Sequence, residues 1–361
     1  LPSRARVIAF YLPQFHPIPE NDEWWGPGFT EWRNVAKARP LYRGHYQPHI
    51  PADLGFYDLR VPETRWAQAE LAKTHGVEGF AYWHYWFAGR RILERPFHEV
   101  LHMKEPDLPF CLAWANQTWT GVWHGLSDKI LIEQTYPGIA DYTAHFNAVL
   151  PAFADGRYIT VDGRPLFYVF QPRALPDARQ FTSLWRELAL KAGLKGLYLV
   201  GEMPLGCNAT DWGFDAAVDT SGPLRLITRQ PWRRPLDRLK WERKRLLRRP
   251  TILQYADLCE SFVTKQANAA PHVGRHLSLL PGWDNTPRSG LNGLVLHGSS
   301  PEHFRRQVRQ ALSLCTQGPL EHRLLFIKSW NEWAEGNYME PDLRFGRGYL
   351  EVLRDELLRD S

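Results

Sequence analysis

Glu332 and Glu335 stand three residues apart in the stretch Ile327-Lys-Ser-Trp-Asn-Glu-Trp-Ala-Glu-Gly-Asn-Tyr-Met-Glu-Pro341, directly behind an apolar run, Leu324 to Ser329. Paired carboxyl groups suit the breaking of a glycosidic bond. One donates a proton to the leaving oxygen, while the other supports positive charge or activates a nucleophile. The plain alternative is a solvated helix face, where glutamates at this spacing are common neighbours. The apolar run in front and the surrounding Trp330, Asn331, Trp333, Asn337 and Tyr338 argue against it, because a solvated face rarely carries so many indoles.

Similar polar and aromatic clusters follow other apolar runs. Tyr11, Gln14 and His16 follow the first, with Trp24 and Trp25 a little further on; Trp83, His84, Tyr85 and Trp86 follow the second. Asn116 and Trp119 follow the third, Glu202 the fifth, Trp283 and Asp284 the seventh. Trp24, Trp25, Trp83, Trp86, Trp119 and Trp283 are candidates to stack on the C–H faces of sugar rings, and some of them can equally be core. Tyr11, Gln14, Tyr85, Asn116, Trp330 and Asn331 are candidate contacts to hydroxyls. His16 and His84 can hold loops as readily as touch substrate. Glu202 and Asp284 can bind hydroxyls, or either can be the partner of Glu335 in an ordinary two-carboxylate mechanism. Glu31 is a weaker candidate, since Thr30-Glu-Trp32 also reads as a helix cap. No His-x-His or His-Glu-x-x-His spacing points to a metal.

What must position these residues is a series of eight short apolar runs: Arg6–Leu12, Val77–Tyr82, Pro109–Trp114, Pro165–Phe170, Gly196–Val200, Phe214–Val218, Leu277–Leu280 and Leu324–Ser329. Helical patterns lie between many of them, at Pro62–Lys73, Phe181–Ala192 and Pro301–Thr316, each followed within a few residues by glycine. Strand, loop and helix in eightfold succession predict an α/β fold, a (β/α)8 barrel of TIM type, with residues 1–361 forming one catalytic domain. The barrel needs about 250 residues, leaving roughly 110 for long loops. Two such loops are evident, residues 13–61 after the first strand and 222–275 after the sixth. In such a barrel the C-terminal strand ends carry the active site, and here the polar aromatic clusters fall on those ends.

The composition is that of an ordinary globular chain: 361 residues, 44% hydrophobic and 23% charged. Sixteen tryptophans are many, which favours carbohydrate as the partner. No apolar run approaches the roughly 18 residues of a membrane span. Leu1-Pro-Ser-Arg-Ala-Arg6 leads into a strand without a signal-peptide pattern, and four dispersed cysteines make no metal or disulfide framework. The expectation is a cytoplasmic protein with free thiols, export staying open because the chain does not begin with Met. The net charge of +5 is local, since residues 225–249 hold eleven Lys/Arg against Asp237 and Glu242. Leu236, Leu239, Leu246 and Leu247 in this basic insert fall near helical spacing. It is therefore a candidate amphipathic helix for an anionic membrane face, a site for acidic glycan, or simply a solvated helix. No recognised nucleic-acid module accompanies it.

Four motifs, Phe10-Tyr-Leu-Pro-Gln-Phe-His16, Trp25-Gly-Pro-Gly-Phe-Thr-Glu-Trp32, Pro281-Gly-Trp-Asp-Asn-Thr-Pro-Arg288 and Trp330-Asn-Glu-Trp-Ala-Glu-Gly336, resemble the WbsX family of bacterial O-antigen and capsule loci, which is related to glycoside hydrolase family 99. The likeness runs from about residue 6 to 352. It implies a metal-free, cofactor-free barrel enzyme acting on α-linked mannose- or rhamnose-type polysaccharide. It also implies Glu332 as a base that deprotonates the substrate's own 2-OH, closing a 1,2-anhydro sugar, and Glu335 as the acid. Ala334 stands where the hydrolase motif usually has His. On these roles Glu335 should hold a raised pKa through burial against Trp330 or Trp333, while Asn331, Tyr11 or Tyr85 keep Glu332 ionised. The family is often labelled glycosyltransferase, so transfer in surface-polysaccharide synthesis is the rival activity. The sequence carries neither a Gly-rich phosphate loop nor an Asp-x-Asp motif for a nucleotide sugar. A non-catalytic carbohydrate-binding module is the third reading, against which the two intact glutamates argue.

Overall fold

The computed structural model describes residues 3–121, 129–220, 249–268, 274–315 and 318–358. The candidate helix of the basic insert falls on residues outside this set. Eight parallel strands form the predicted (β/α)8 barrel: β1 Arg6–Tyr11, β2 Gly79–Phe87, β3 Phe110–Trp114, β4 Arg164–Val169, β5 Tyr198–Glu202, β6 Ala216–Val218, β7 Leu277–Leu279 and β8 Leu324–Ile327. They pair in the order β6-β5-β4-β3-β2-β1-β8-β7. Closure comes just ahead of β7, where Ala217 and Arg275 form a parallel bridge. There the Ala217 N–H donates to Gly274 O at 2.6 Å and the His276 N–H to Ala217 O at 2.9 Å. Gly274 has φ +93°, and a Cβ there would collide with Asp215 O, so this seam requires glycine.

Two helices sit in the long loop after β1, α1 Pro19–Trp25 and α2 Glu31–Lys37. The outer layer is α3 Pro62–Thr74, α4 Arg95–Met103, α5 Ile139–Phe153, α6 Ala178–Lys191, α7 Tyr255–Asn268, α8 Pro301–Cys315 and α9 Gly348–Leu357. Between β5 and β6 only a 3-10 turn, Ala209–Trp212, is present, so helix follows strand in seven of the eight units. Strand side chains alternate between two packed layers. Inward-facing Phe10 meets Trp83 and Tyr168 at 4.8 Å each and Phe326 at 5.7 Å, tying β1, β2, β4 and β8 across the barrel. Outward-facing Phe167 meets Trp185 of α6 at 4.6 Å, and Phe153 of α5 closes on the same indole.

β2 differs most from expectation. It does not stop at Tyr82 but continues through Trp83-His-Tyr-Trp86, pairing at its end with a short strand at Arg90–Ile92. The four residues expected as a loop cluster therefore alternate faces.

Candidate functional site

β8 hands over to the two glutamates through Lys328 and Ser329. The Ser329 hydroxyl accepts the N–H groups of Asn331 and Glu332 at 3.3 and 3.1 Å. Asn331–Glu332 and Asn337–Tyr338 then form a two-residue antiparallel ribbon closed by one 3-10 turn, Trp333–Glu335. Gly336 ends the turn at φ +57°, where a Cβ would stand 2.8 Å from the Asp284 backbone nitrogen. Three neighbours hold this ribbon to the barrel. Asn331 takes the Leu12 N–H at 2.7 Å and gives its amide to Leu12 O at 3.1 Å. Trp330 is fully buried on Phe80, centroids 5.0 Å apart. Trp333 stacks on Tyr338 at 3.9 Å and donates its indole N–H to Glu340 at 2.6 Å.

Glu335 is buried and paired with the Arg288 guanidinium, Nη1 to Oε1 2.6 Å. Arg288 comes from the one-turn helix Thr286–Ser289 in the β7 loop, and its Nε meets Glu31 of α2 at 3.1 Å. Burial alone would raise the Glu335 pKa, but the nearby Arg288 charge and a hydrogen bond with Glu332 hold it below the usual carboxylate range. Glu332 goes the other way. It is half-buried. Burial, then the Glu335 charge and the shared hydrogen bond, push it well above the ordinary value, against weaker pulls from Lys328 and Arg288. The directions favour the proton on Glu332 and the negative charge on Glu335, where the Arg288 guanidinium lies. These directions run opposite to the ionisation expected from the motif order, because the Arg288 ion pair is made with Glu335.

Tyr85 belongs to the same group: burial first, then its closeness to Glu332 and Glu335, raise its pKa, so its phenol stays protonated beside the carboxyls. Lys328 lies over the Trp283 ring, 5.3 Å from its centroid. Tyr85 packs with Trp119 at 5.1 Å, and Trp24 with Trp119 at 5.9 Å, so the structure assembles Trp24, Trp119 and Tyr85 with half-buried Trp83 on the Glu332 side of the barrel mouth. Gln14 is half-buried in the β1 loop, its carbonyl accepting the Glu31 N–H at 3.3 Å.

The other candidates are placed elsewhere, and each correction has a local cause. His84 and Trp86 take the outward positions of β2. His84 Nε2 meets His145 Nε2 of α5 at 2.8 Å, and Trp86 stacks flat on His145 at 4.7 Å. Tyr11 also faces outward, donating to Gln68 of α3 at 2.7 Å, so neither it nor Asn331 supplies a donor to Glu332. Trp25 packs on Phe29, 6.1 Å between centroids. Asn116 is fully buried and clamps Gln171, giving its amide to the carbonyl at 2.9 Å and taking the N–H at 2.7 Å. Glu202 accepts Tyr168 Oη at 2.6 Å and the Thr220 N–H and hydroxyl. Asp284 accepts His45 or its proton at 2.6 Å, Gln47 at 2.7 Å and both Thr286 donors. With their oxygens so occupied, Glu202 and Asp284 do not stand as partners of Glu335. Trp330 and Asn331 anchor the ribbon from behind.

Arg288, Lys328 and Glu340 were not singled out from the sequence. Arg288 closes the Pro281–Arg288 motif, yet nothing local says which acid it meets 47 residues later. Glu340 is buried and accepts Tyr57, Gln68 and Trp333 at 2.8, 2.6 and 2.6 Å, with burial pushing it up to about 7 against those donors. No group of three His, Cys, Asp or Glu that could hold a metal exists among the described residues. Chemically, the arrangement offers a proton donor and an anion that touch each other. Carboxyls sharing a hydrogen bond are too close to flank a sugar from opposite sides with a water between them, which needs about 6.5–9.5 Å.

The model of the family described as Glycosyltransferase WbsX matches residues 7–353. An uncharacterized protein, WxcX, of Xanthomonas campestris pv. campestris is 39% identical over 372 residues, covering 98% of this chain and 50% of the relative. The chain thus spans about half the length of the curated relatives it matches. Among solved structures, a glycoside hydrolase-like protein superposes with a TM-score of 0.61 at 13% identity, covering 100% of this chain and 95% of the other. The GH99 endo-α-mannosidase of Bacteroides thetaiotaomicron gives 0.58 at 13% identity, covering 99% and 97%. At such identity these two speak for the fold.

Proposed function

The chain belongs to the WbsX glycosyltransferase family, and we propose that it is a glycosidase-type enzyme cleaving α-linked, manno- or rhamno-configured bacterial polysaccharide at Glu332 and Glu335. The single observation carrying this is the pair of carboxyls on one turn after β8, with Arg288 of the β7 loop paired to Glu335 at 2.6 Å. An acid must hold its proton at working pH, and the upward shift of Glu332 supports giving it that role. Glu332 therefore protonates the glycosidic oxygen as the C1–O bond breaks. Glu335, already anionic, takes the proton of the substrate's 2-OH while O2 closes on C1, giving a 1,2-anhydro sugar. In the second half Glu332, now a carboxylate, takes a proton from the water that adds to C1, and Glu335 returns its proton to O2. Both groups end as they began, and C1 keeps its configuration after two inversions.

An axial 2-OH anti to the leaving group is what O2 attack requires, hence α-mannosides or α-rhamnosides. Tyr85 supplies a protonated phenol beside the charge, and Trp24, Trp83 and Trp119 supply ring faces. Roles remain with residues 1–361 as one catalytic domain; what the rest of a longer relative adds is a separate matter. The family description favours a second reading, transfer of a sugar to an acceptor in the same cleft. Incubation of α-mannan and α-rhamnan oligosaccharides in H2(18)O, followed by mass spectrometry, separates the two. Labelled reducing ends, absent in Glu332→Gln and Glu335→Gln, are expected. Product appearing only when a nucleotide sugar and acceptor are supplied overturns the hydrolytic reading.

A further inference from the structure

Glu340 is not one of the reacting pair, yet its side chain is only 2% exposed and its carboxyl is fully engaged. It lies just past the ribbon, and its partners come from three separate places in the fold. Oε2 accepts the Tyr57 hydroxyl of the β1 loop at 2.8 Å and the Trp333 indole N–H at 2.6 Å, while Oε1 accepts the Gln68 amide of α3 at 2.6 Å. Gln68 is itself fully buried and takes the Tyr11 hydroxyl of β1 at 2.7 Å. All three partners of the carboxyl are neutral donors. A buried carboxyl that has hydrogen bonds but no ion pair is costly, and burial pushes this one up to about 7. Filling space does not call for a carboxyl here; gathering three donors from separate elements onto one point does.

What that point reaches is both chain neighbours of Glu332. Trp333 follows Glu332 and opens the 3-10 turn that carries Glu335, and the carboxyl holds its indole directly. Asn331 precedes Glu332 and gives its amide to the Tyr57 hydroxyl at 3.3 Å, and that hydroxyl donates to Glu340. Trp333 cannot tilt without breaking its bond to Glu340 or its stack on Tyr338 at 3.9 Å. Hydrogen bonds are directional where apolar contact is not, so they fix the rotation of the turn as well as its depth. We propose that Glu340 is a positioning residue for the glutamate pair: from behind the turn it holds Trp333 and, through Tyr57, Asn331, and so sets where Glu332 stands against Glu335. The proposal rests on the reading of these two glutamates as the reacting groups.

The test titrates the pair by carbon-13 NMR of protein labelled at the glutamate carboxyl, in the wild type, Glu340→Ala and Glu340→Gln, with circular dichroism and melting to verify folding. Glutamine keeps the volume and an acceptor for the Trp333 N–H but carries no charge; alanine leaves the Trp333 and Gln68 donors buried and unanswered. A loosened turn weakens the hydrogen bond between Glu332 and Glu335, so the gap between the two titration steps of the pair should narrow by at least about one pKa unit in Glu340→Ala, and by less than about half a unit in Glu340→Gln. Trp333→Phe deletes only the indole N–H and Tyr57→Phe only the hydroxyl. Both should narrow the gap too, and they decide the matter if Glu340→Ala does not fold. With an α-mannan or α-rhamnan oligosaccharide, kcat should fall at least about tenfold in Glu340→Ala with KM within about threefold, and Glu340→Gln should restore most of it. Wild-type spacing of the steps in the folded variants overturns the proposal and leaves Glu340 a packing residue. Equal narrowing in Glu340→Ala and Glu340→Gln overturns it as well, because the charge and not the position would then be at work. The titration uses no substrate, so a wild type that cleaves none of these glycans removes the cleavage reading, while the titration still decides this one.

Discussion

Arg288→Gln should move the proton of the carboxylate pair. In the wild type, Arg288 meets Glu335 at 2.6 Å and Glu31 at 3.1 Å, both partners being nearly fully buried. A unit charge about 4 Å away, at an effective dielectric of about 20, is worth about 4 kcal/mol, or about three pKa units before water and neighbours compensate. Glutamine keeps a donor but no charge, so a rise of at least about one unit in the lower titration step of the pair is expected. Because the glutamates share a proton, the two steps belong to the pair. In the wild type they should separate cleanly, the lower step appearing on Glu335 and the upper on Glu332. In Arg288→Gln both carboxyl signals should show both steps. The assay is carbon-13 NMR of protein labelled at the glutamate carboxyl, assigned with Glu332→Gln and Glu335→Gln, and it needs no substrate. Removing one partner of a buried ion pair costs about 3–5 kcal/mol. Arg288→Lys, which keeps the charge, is therefore titrated alongside and should stay near the wild type. A Glu335 midpoint that does not move in folded Arg288→Gln would refute the assignment of its charge to Arg288.

Three further outcomes follow from the same geometry. With a glycosyl fluoride or dinitrophenyl glycoside, whose leaving group needs no proton, Glu332→Gln should recover most of an otherwise about 10²–10⁴-fold loss, whereas Glu335→Gln should stay impaired; rescue of Glu335→Gln with Glu332→Gln still impaired would return the acid role to Glu335. Glu340 has a folded pKa near 7, above its unfolded value, so its contribution to stability is full below about pH 4.5 and is lost as pH rises through about 7. Urea unfolding of the wild type should weaken over that window by on the order of 3 kcal/mol more than that of Glu340→Gln, and parallel pH profiles would contradict the burial argument. Gly336→Ala must seat a Cβ 2.8 Å from Asp284 at φ +57°, so thermal unfolding should show a loss above about 1 kcal/mol, with turnover falling too; a neutral effect would mean the turn re-forms differently.

The barrel was legible because buried parallel strands read as unbroken apolar runs, and all eight runs became strands at nearly the expected positions. The glycines at 76, 193 and 274 mark turns at positive φ that the chain must make. Less legible was where a strand of aromatics ends. Trp83, His84, Tyr85 and Trp86 look alike in sequence, but on a continuing strand two face the cleft and two face α5. Period-two alternation was the signal, hidden because both layers of a barrel strand are apolar. The long-range partners were not legible at all. Nothing near Asn116, Glu202 or Asp284 announces that Gln171, Tyr168 and His45 have already taken their hydrogen-bonding capacity.

On the proposed mechanism the glutamate roles run against the motif order, and the reason is physical. Two carboxyls three residues apart on one turn experience nearly the same burial, so burial cannot decide which of them is the acid. The decision falls to whichever carboxyl an outside charge reaches. Here that charge arrives on the loop after β7, steered by Glu31 on the other side, and it meets Glu335. A relative with the same two glutamates and a neutral residue at 288 should lose the bias and titrate as a near-symmetric pair. On the proposed mechanism, the acid and base roles depend on the β7 loop as much as on the residues that move the proton.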